Sequence, residues 1–156
     1  MIEIEVPGFG ALKFRHLVLD YNGTIACDGK LIAGVDERIR QLAQDLEIHV
    51  LTADTFGSVK ESLSQVPCKV SIIPKGSQAE AKADYVANLG AENCVCVGNG
   101  RNDALMLTSA RLGVAVVQTE GCAGAAVKHA DVLVPGILDA LDLLLHPLRL
   151  VATLRS

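Results

Sequence analysis

Tryptophan is missing from this chain of 156 residues, and only five residues are Phe or Tyr. Half of the sequence is nevertheless apolar, so the core has to be aliphatic, built from Val, Leu, Ile and Ala. No uncharged apolar run of about 18 residues occurs, so no segment is expected to span a membrane. Basic runs are absent as well, and the formal net charge of -4 offers no attraction to nucleic acid or to acidic membrane surfaces. There is no low-complexity tract and no internal repeat. The N-terminal IEIEV alternates and lacks the basic-then-apolar pattern of a leader. Five cysteines, an odd number, sit among core-like residues, which argues for reduced thiols and a cytoplasmic location rather than a disulfide framework. Cys94 and Cys96 would share one face of a strand, a poor match to the C-x-x-C spacing of metal sites. The length suits one domain with one large core.

What is present is an alternation. Residues 2–6 and 11–16 flank Pro7-Gly8-Phe9-Gly10 and read as a β-hairpin. A buried strand at 17–20 follows. Val35, Ile39, Leu42 and Leu46 repeat at helical spacing, and Ile48 to Leu51 is a strand ending at Thr52-Ala53-Asp54. Phe56, Val59 and Leu63 mark the next helix, and Val70 to Ile73 the next strand. Ser77-x-x-Glu80 reads as a capping box for a helix that runs to Leu89 and stops at Gly90. Cys94 to Val97 is a strand running into Gly98-Asn99-Gly100-Arg101-Asn102-Asp103, and a short helix, strands at 113–117 and 131–134 and a helix at 122–129 complete the pattern. Such regular alternation predicts an α/β fold with a doubly wound, mainly parallel Rossmann-like sheet, an N-terminal hairpin at 1–16, a core at 17–135 and a helical tail at 136–156.

A parallel sheet gathers its strand ends on one edge, where open α/β sheets bind ligands. Asp20, Thr52 and the 98–103 loop all fall just past strand ends. Attack on a phosphate monoester needs a nucleophile, charge neutralisation and hydrogen bonds to the equatorial oxygens. Asp20 can be the nucleophile and carry an acyl-phosphate. Thr52 offers its hydroxyl, with neighbouring backbone N–H groups such as that of Ala53 as further donors. A lysine near the start of the 77–89 helix can neutralise phosphate charge, with Lys82 the first choice and Lys75 the second. Asn99, Asn102 and Asp103 offer the oxygen ligands that Mg²⁺ prefers. Asp54 reads as a cap for the next helix. The four histidines, His16, His49, His129 and His146, show no shared spacing, and Lys128 and His129 suit a helix C-terminus.

These segments resemble the motifs of the haloacid dehalogenase superfamily, and within it the phosphorylation domain of P-type ATPases. Asp20 to Thr24 is similar to the DKTGT phosphorylation motif and LTADT at 51–55 to LTGDN. AEAKADYVANLG at 79–90 resembles the P-x-x-K helix, and VGNGRNDALML at 97–107 the GDGxND hinge. The resemblance covers residues 15–135 and implies a Mg²⁺-dependent phosphohydrolase in which Asp20 is phosphorylated. It implies that Asp20 and the backbone carbonyl of Asn22 hold the metal, that Thr52 and Lys82 hold the phosphoryl group, and that Asn99 and Asp103 lie on the metal side.

Two departures bear on rate. Phosphatases of this superfamily carry Asp two residues after the nucleophile as acid and base, and Asn22 can be neither. General acid–base help is worth about 10²–10⁴-fold, so slow turnover is expected. Asn99 replaces the first Asp of GDG and weakens the metal site. A non-catalytic module that keeps the pocket is therefore the competing expectation. The short spans between Asp20, Thr52 and Lys82 leave no room for a cap domain, and such an open site suits a large phosphorylated substrate, or a neighbouring subunit acting as lid, with the substrate class itself (small molecule or macromolecule) left open. The tail from Ile137 to Leu154 is apolar around its circumference, with Pro147 interrupting it. Leu141, Leu144 and Leu145 are expected in the core, and Leu143, Leu150 and Leu154 on a surface that self-associates into a homo-oligomer.

Overall fold

Alternating buried and exposed residues start the chain as a ribbon, with β1 (Ile2–Val6) and β2 (Gly10–Phe14) paired antiparallel. The computed structural model describes residues 1–54 and 57–156. Thr55 of the LTADT segment and Phe56 of the expected helix lie outside the described residues. The central sheet is built from β3 (His16–Asp20), β6 (Glu47–Thr52), β7 (Lys69–Ile72), β8 (Cys94–Gly98), β9 (Leu112–Val116) and β10 (Val132–Val134). Their order is β10-β9-β8-β3-β6-β7, with every pairing parallel. The chain steps from β3 to β6 and β7 on one side, then returns to place β8 on the other. That reversal beside β3 is the switch point at which doubly wound sheets bind ligands. The predicted α/β architecture with an N-terminal hairpin is therefore what forms.

Both faces of the sheet are covered, which is why its strands are apolar runs rather than alternations. On one face Leu17, Leu19, Ile48, Val50, Val95 and Val97 join the ribbon, α1 (Val35–Leu42), α6 (Ile137–Leu145) and α7 (Pro147–Leu154) in the larger core. On the other, Val18, Leu51, Cys94 and Cys96 pack with α3 (Gln78–Leu89), α4 (Ala104–Ser109) and α5 (Gly124–His129). The five cysteines are free thiols, two buried and three half-buried. Between Asp20 and Thr52 the chain makes only a two-stranded ribbon, β4 (Ala26–Cys27) and β5 (Lys30–Leu31), and α1, so no cap domain is inserted between those two residues. α2 (Ser58–Ser62) is a short helix after β6.

Three local expectations are corrected. Ser77 makes no capping hydrogen bond, because its backbone is left-handed (φ 48°, ψ 43°) and turns the side chain away from the first helical N–H groups. Leu150 is completely buried, and Leu143 and Leu154 are half-buried against the larger core. Pro147 opens a second helix, and α7 packs Leu150 and Leu154 against the larger core. The ribbon β4–β5, which no motif of the sequence foretold, begins at Ala26, three residues past Gly23.

Candidate active site

β3 delivers Asp20 to the edge of the sheet, opposite Leu51 in the parallel register with β6. Thr52 is thus one residue beyond Asp20's neighbour and is buried. Its hydroxyl oxygen accepts the Asp54 N–H at 3.2 Å, leaving the hydroxyl proton to donate elsewhere. Ala53 is half-buried beside it. Asp54 caps α2, accepting the Val59 N–H at 3.3 Å and the Ser58 hydroxyl at 2.6 Å, as its sequence position predicts. Gly23 turns the chain after Asp20 with φ 78°, and a Cβ there would overlap the Asn99 amide. Asn22, between them, is exposed and bridges to Ala26.

Lys82 closes the site from above. The apolar face of α3 packs on the sheet and carries this lysine inward, so that it is only 2% exposed. Its ammonium donates to Asp20 Oδ1 at 2.8 Å, to Asp103 Oδ1 at 2.7 Å and more weakly to Asn102 Oδ1 at 3.5 Å. The structure brings Lys82 to Asp20, whereas Lys75 is exposed and lines a shallow recess with Gln78, Arg101 and Asn102. Asp103 is fully buried, and its Oδ2 accepts the N–H groups of Asn99 at 3.1 Å and Gly100 at 2.8 Å. Gly98 must be glycine here, because a Cβ would meet the Asp103 carboxyl carbon at 2.5 Å.

Two buried carboxylates thus share one ammonium. Burial, then Asp103, pushes the Asp20 carboxyl up to about 7 against the opposing pull of Lys82 and Thr24. Burial alone would lower the Lys82 ammonium, but its two carboxylate partners outweigh that and hold it above its ordinary value. An excess of negative charge among buried oxygen donors is the environment a hard divalent cation relieves. Among the described residues Asp20 Oδ2 accepts only the Thr24 hydroxyl, at 3.0 Å, which leaves lone pairs for a further partner. The donor set therefore fits Mg²⁺.

Three residues that the sequence left without a role complete the arrangement. Thr24 donates to Asp20 Oδ2 and stands 3.2 Å from Asn99 Oδ1, tying the first and last motifs together. Asn99 in turn donates to the Gly121 carbonyl at 3.1 Å. Gln118 donates to the carbonyls of Gly23 at 3.0 Å and Thr24 at 2.6 Å while accepting the Ile137 N–H at 3.0 Å. The signal for Gln118 was its place two residues past the end of β9, on the same edge as the motifs. Gln78 accepts from the Asn102 amide at 2.6 Å and so steadies the loop that faces Lys82.

No family model matches the sequence. The chain is similar to a soluble P-type ATPase-like phosphatase of Methanocaldococcus jannaschii, 30% identical over 145 residues, covering 90% of this chain and 53% of that protein. It spans about half the length of that relative. An uncharacterized protein of the same organism is 42% identical over 85 residues, 52% of this chain and 91% of that one. Among solved structures, the cobalt-bound deoxy-D-mannose-octulosonate 8-phosphate phosphatase of Haemophilus influenzae superposes with a TM-score of 0.72 at 13% identity, covering 92% and 94% of the two chains. The 3-deoxy-D-manno-octulosonate 8-phosphate phosphatase of Moraxella catarrhalis, solved with magnesium, phosphate and KDO, gives 0.68 at 15% identity over 85% and 86%. At such identities these structures speak for the fold. The chain shares the α/β fold of these phosphatases, and its sequence is similar to the soluble P-type ATPase-like phosphatase over most of its own length.

Proposed function

We propose that the protein is a Mg²⁺-dependent phosphohydrolase that works through an aspartyl-phosphate on Asp20. The observation that carries this reading is the Asp20 carboxylate at the switch point, paired at 2.8 Å with a lysine that also holds Asp103. An Asp20 oxygen attacks phosphorus, the bond from phosphorus to the leaving oxygen breaks, and that oxygen leaves with a proton taken from solvent. Lys82, the Thr52 hydroxyl and the Ala53 N–H bind the phosphoryl oxygens in this scheme. Asp20, the Asn22 carbonyl, Asn99 and Asp103 are the residues that would hold Mg²⁺, and the ion when bound would supply charge neutralisation at the phosphoryl group. Water then cleaves the acyl-phosphate, releasing phosphate and restoring the carboxylate. Because Asn22 cannot act as acid or base, both steps run slowly.

Incubation with an aryl phosphate and Mg²⁺ tests the scheme. Asp20→Asn should reduce hydrolysis to the buffer background, and activity that survives the substitution defeats the nucleophile assignment.

A second reading is a regulatory or binding module that retains the phosphate and Mg²⁺ pocket. Asn22 and Asn99 favour it, since each stands where the superfamily motif has a carboxylate. Saturable binding of Mg²⁺ with a phosphate mimic, and no turnover on any phosphoester, selects the module. The substrate is a phosphorylated small molecule or macromolecule, the uncapped span between Asp20 and Thr52 favours a large one or a neighbouring subunit as lid, and the net charge and lack of basic runs support partners other than nucleic acid. No helix among the described residues is long and apolar enough to cross a membrane. A cytoplasmic location belongs to the same proposal, supported by the free thiols.

A further inference from the structure

At the end of the sheet opposite Asp20, the β3–β6 register sets His16 against Glu47 and Val18 against His49. Side chains two residues apart share a face, so His16, Glu47 and His49 all project from one side of the sheet. We propose that His16, His49 and Glu47 form a second metal site, for a zinc-class divalent cation, separate from the phosphate site.

The distances suit that ion. His16 Nδ1 lies 3.2 Å from His49 Nε2, and each nitrogen lies 3.8 Å from Glu47 Oε2. Donors held about 2.0–2.1 Å from tetrahedral zinc are about 3.3 Å from one another, so the two imidazoles already stand at ligand spacing. The carboxylate needs to close by about half an ångström on that geometry, and its side chain is 56% exposed and free to move. His49 is held for the purpose. It is buried, and its Nδ1 lies 2.8 Å from the Tyr85 hydroxyl, which the Ser71 hydroxyl approaches at 3.4 Å. With the proton on Nδ1 donated to Tyr85, Nε2 turns a lone pair towards His16 and Glu47, the kind of outer partner that orients metal-bound imidazoles. A divalent ion would replace the proton that the two rings otherwise share. Two imidazoles and one carboxylate favour zinc over Mg²⁺, which prefers all-oxygen sites. Lys69, 3.0 Å from Glu47 Oε2, competes for that carboxylate, but it is 67% exposed and can release into water. A groove lined by Met1, Arg15, His16, Gln44, Asp45 and Glu47 leaves access for a fourth ligand from solvent.

The test titrates the full chain with Zn²⁺ by calorimetry and with Co²⁺ by visible absorption. One ion per chain at this site should give tetrahedral-type Co²⁺ bands and a Zn²⁺-dependent rise in melting temperature. His16→Ala and Glu47→Gln, at partly exposed positions, should each weaken binding at least about tenfold, Tyr85→Phe should weaken it about tenfold or more, and Asp20→Asn should leave it unchanged. The proposal is overturned if no saturable Zn²⁺ binding occurs, or if binding ignores the His16 and Glu47 substitutions. Loss on Cys27→Ala instead would assign the ion to the trio of half-buried Cys27 with Asp28 and Glu120 and equally overturn it.

Discussion

Asn22 is exposed, two residues beyond Asp20, in the place where a carboxylate would protonate the leaving group and later activate water. Its side chain is exposed, so Asn22→Asp should fold normally. We expect the variant to speed decay of a radiolabelled aspartyl-phosphate by up to roughly 10²–10⁴-fold; an unchanged decay would mean that another group already serves as base. Asp20 itself gives a prediction about pH. Burial raises its carboxyl to about 7 in the metal-free protein, above the ordinary 3.8. Its contribution to stability is therefore full below pH 3.8 and lost as pH rises through about 7. Mg²⁺ needs the carboxylate and must displace that proton, so its affinity should climb about tenfold between roughly pH 6 and pH 8. Calorimetric titration of the metal-free protein measures this, and a flat profile would show that Asp20 is already ionised or is no ligand. Among these residues, Asp20, Thr52, Lys82 and Asp103 were legible in the sequence because each belongs to a local motif at a strand or helix end. The tie from Thr24 to Asn99 and those from Gln118 to Gly23 and Thr24 were not, because these partners lie 75 and 94 or more residues apart.

At the scale of the element, α3 does most to join sequence to site. One of its turns presents Lys82 to Asp20 and the next presents Tyr85 to His49, so a single helix braces both ends of β3's neighbourhood. The start of this helix was read from Ser77-x-x-Glu80 and its end from Gly90, and both bounds hold although the capping hydrogen bond does not form. Capping depends on the backbone angles of Ser77, which the residue type does not dictate. The tail shows the same limit. Its apolar pattern predicts helix, but not which leucines the turn at Pro147 points inward. Leu150 is completely buried, so Leu150→Ala should cost about 2–5 kcal/mol, read from a denaturant melt. A loss under about 1 kcal/mol would mean that α7 packs loosely and contributes little to the core.

Across the whole molecule, the apolar surface expected to drive self-association has largely turned inward. What remains on α7 is Leu148, 82% exposed, with Leu133 on β10 at 51%. Self-association stays a proposal resting on those residues. Light scattering at micromolar concentration should then return a multiple of the single-chain mass, and a single-chain mass removes it.

The sequence by itself determined the order of strands and helices, the parallel sheet, the aliphatic core and the four segments that meet at one edge. Each of these follows from local periodicity, apolar runs and turn residues, whose physics acts over a few neighbours. Only the tertiary structure decided which lysine reaches Asp20, that Leu150 is core, and that His16 and His49 touch. Those outcomes depend on strand register and on the docking of α3 and α7, interactions between residues 33 to 62 positions apart or more, for which a single chain of letters carries no spacing rule.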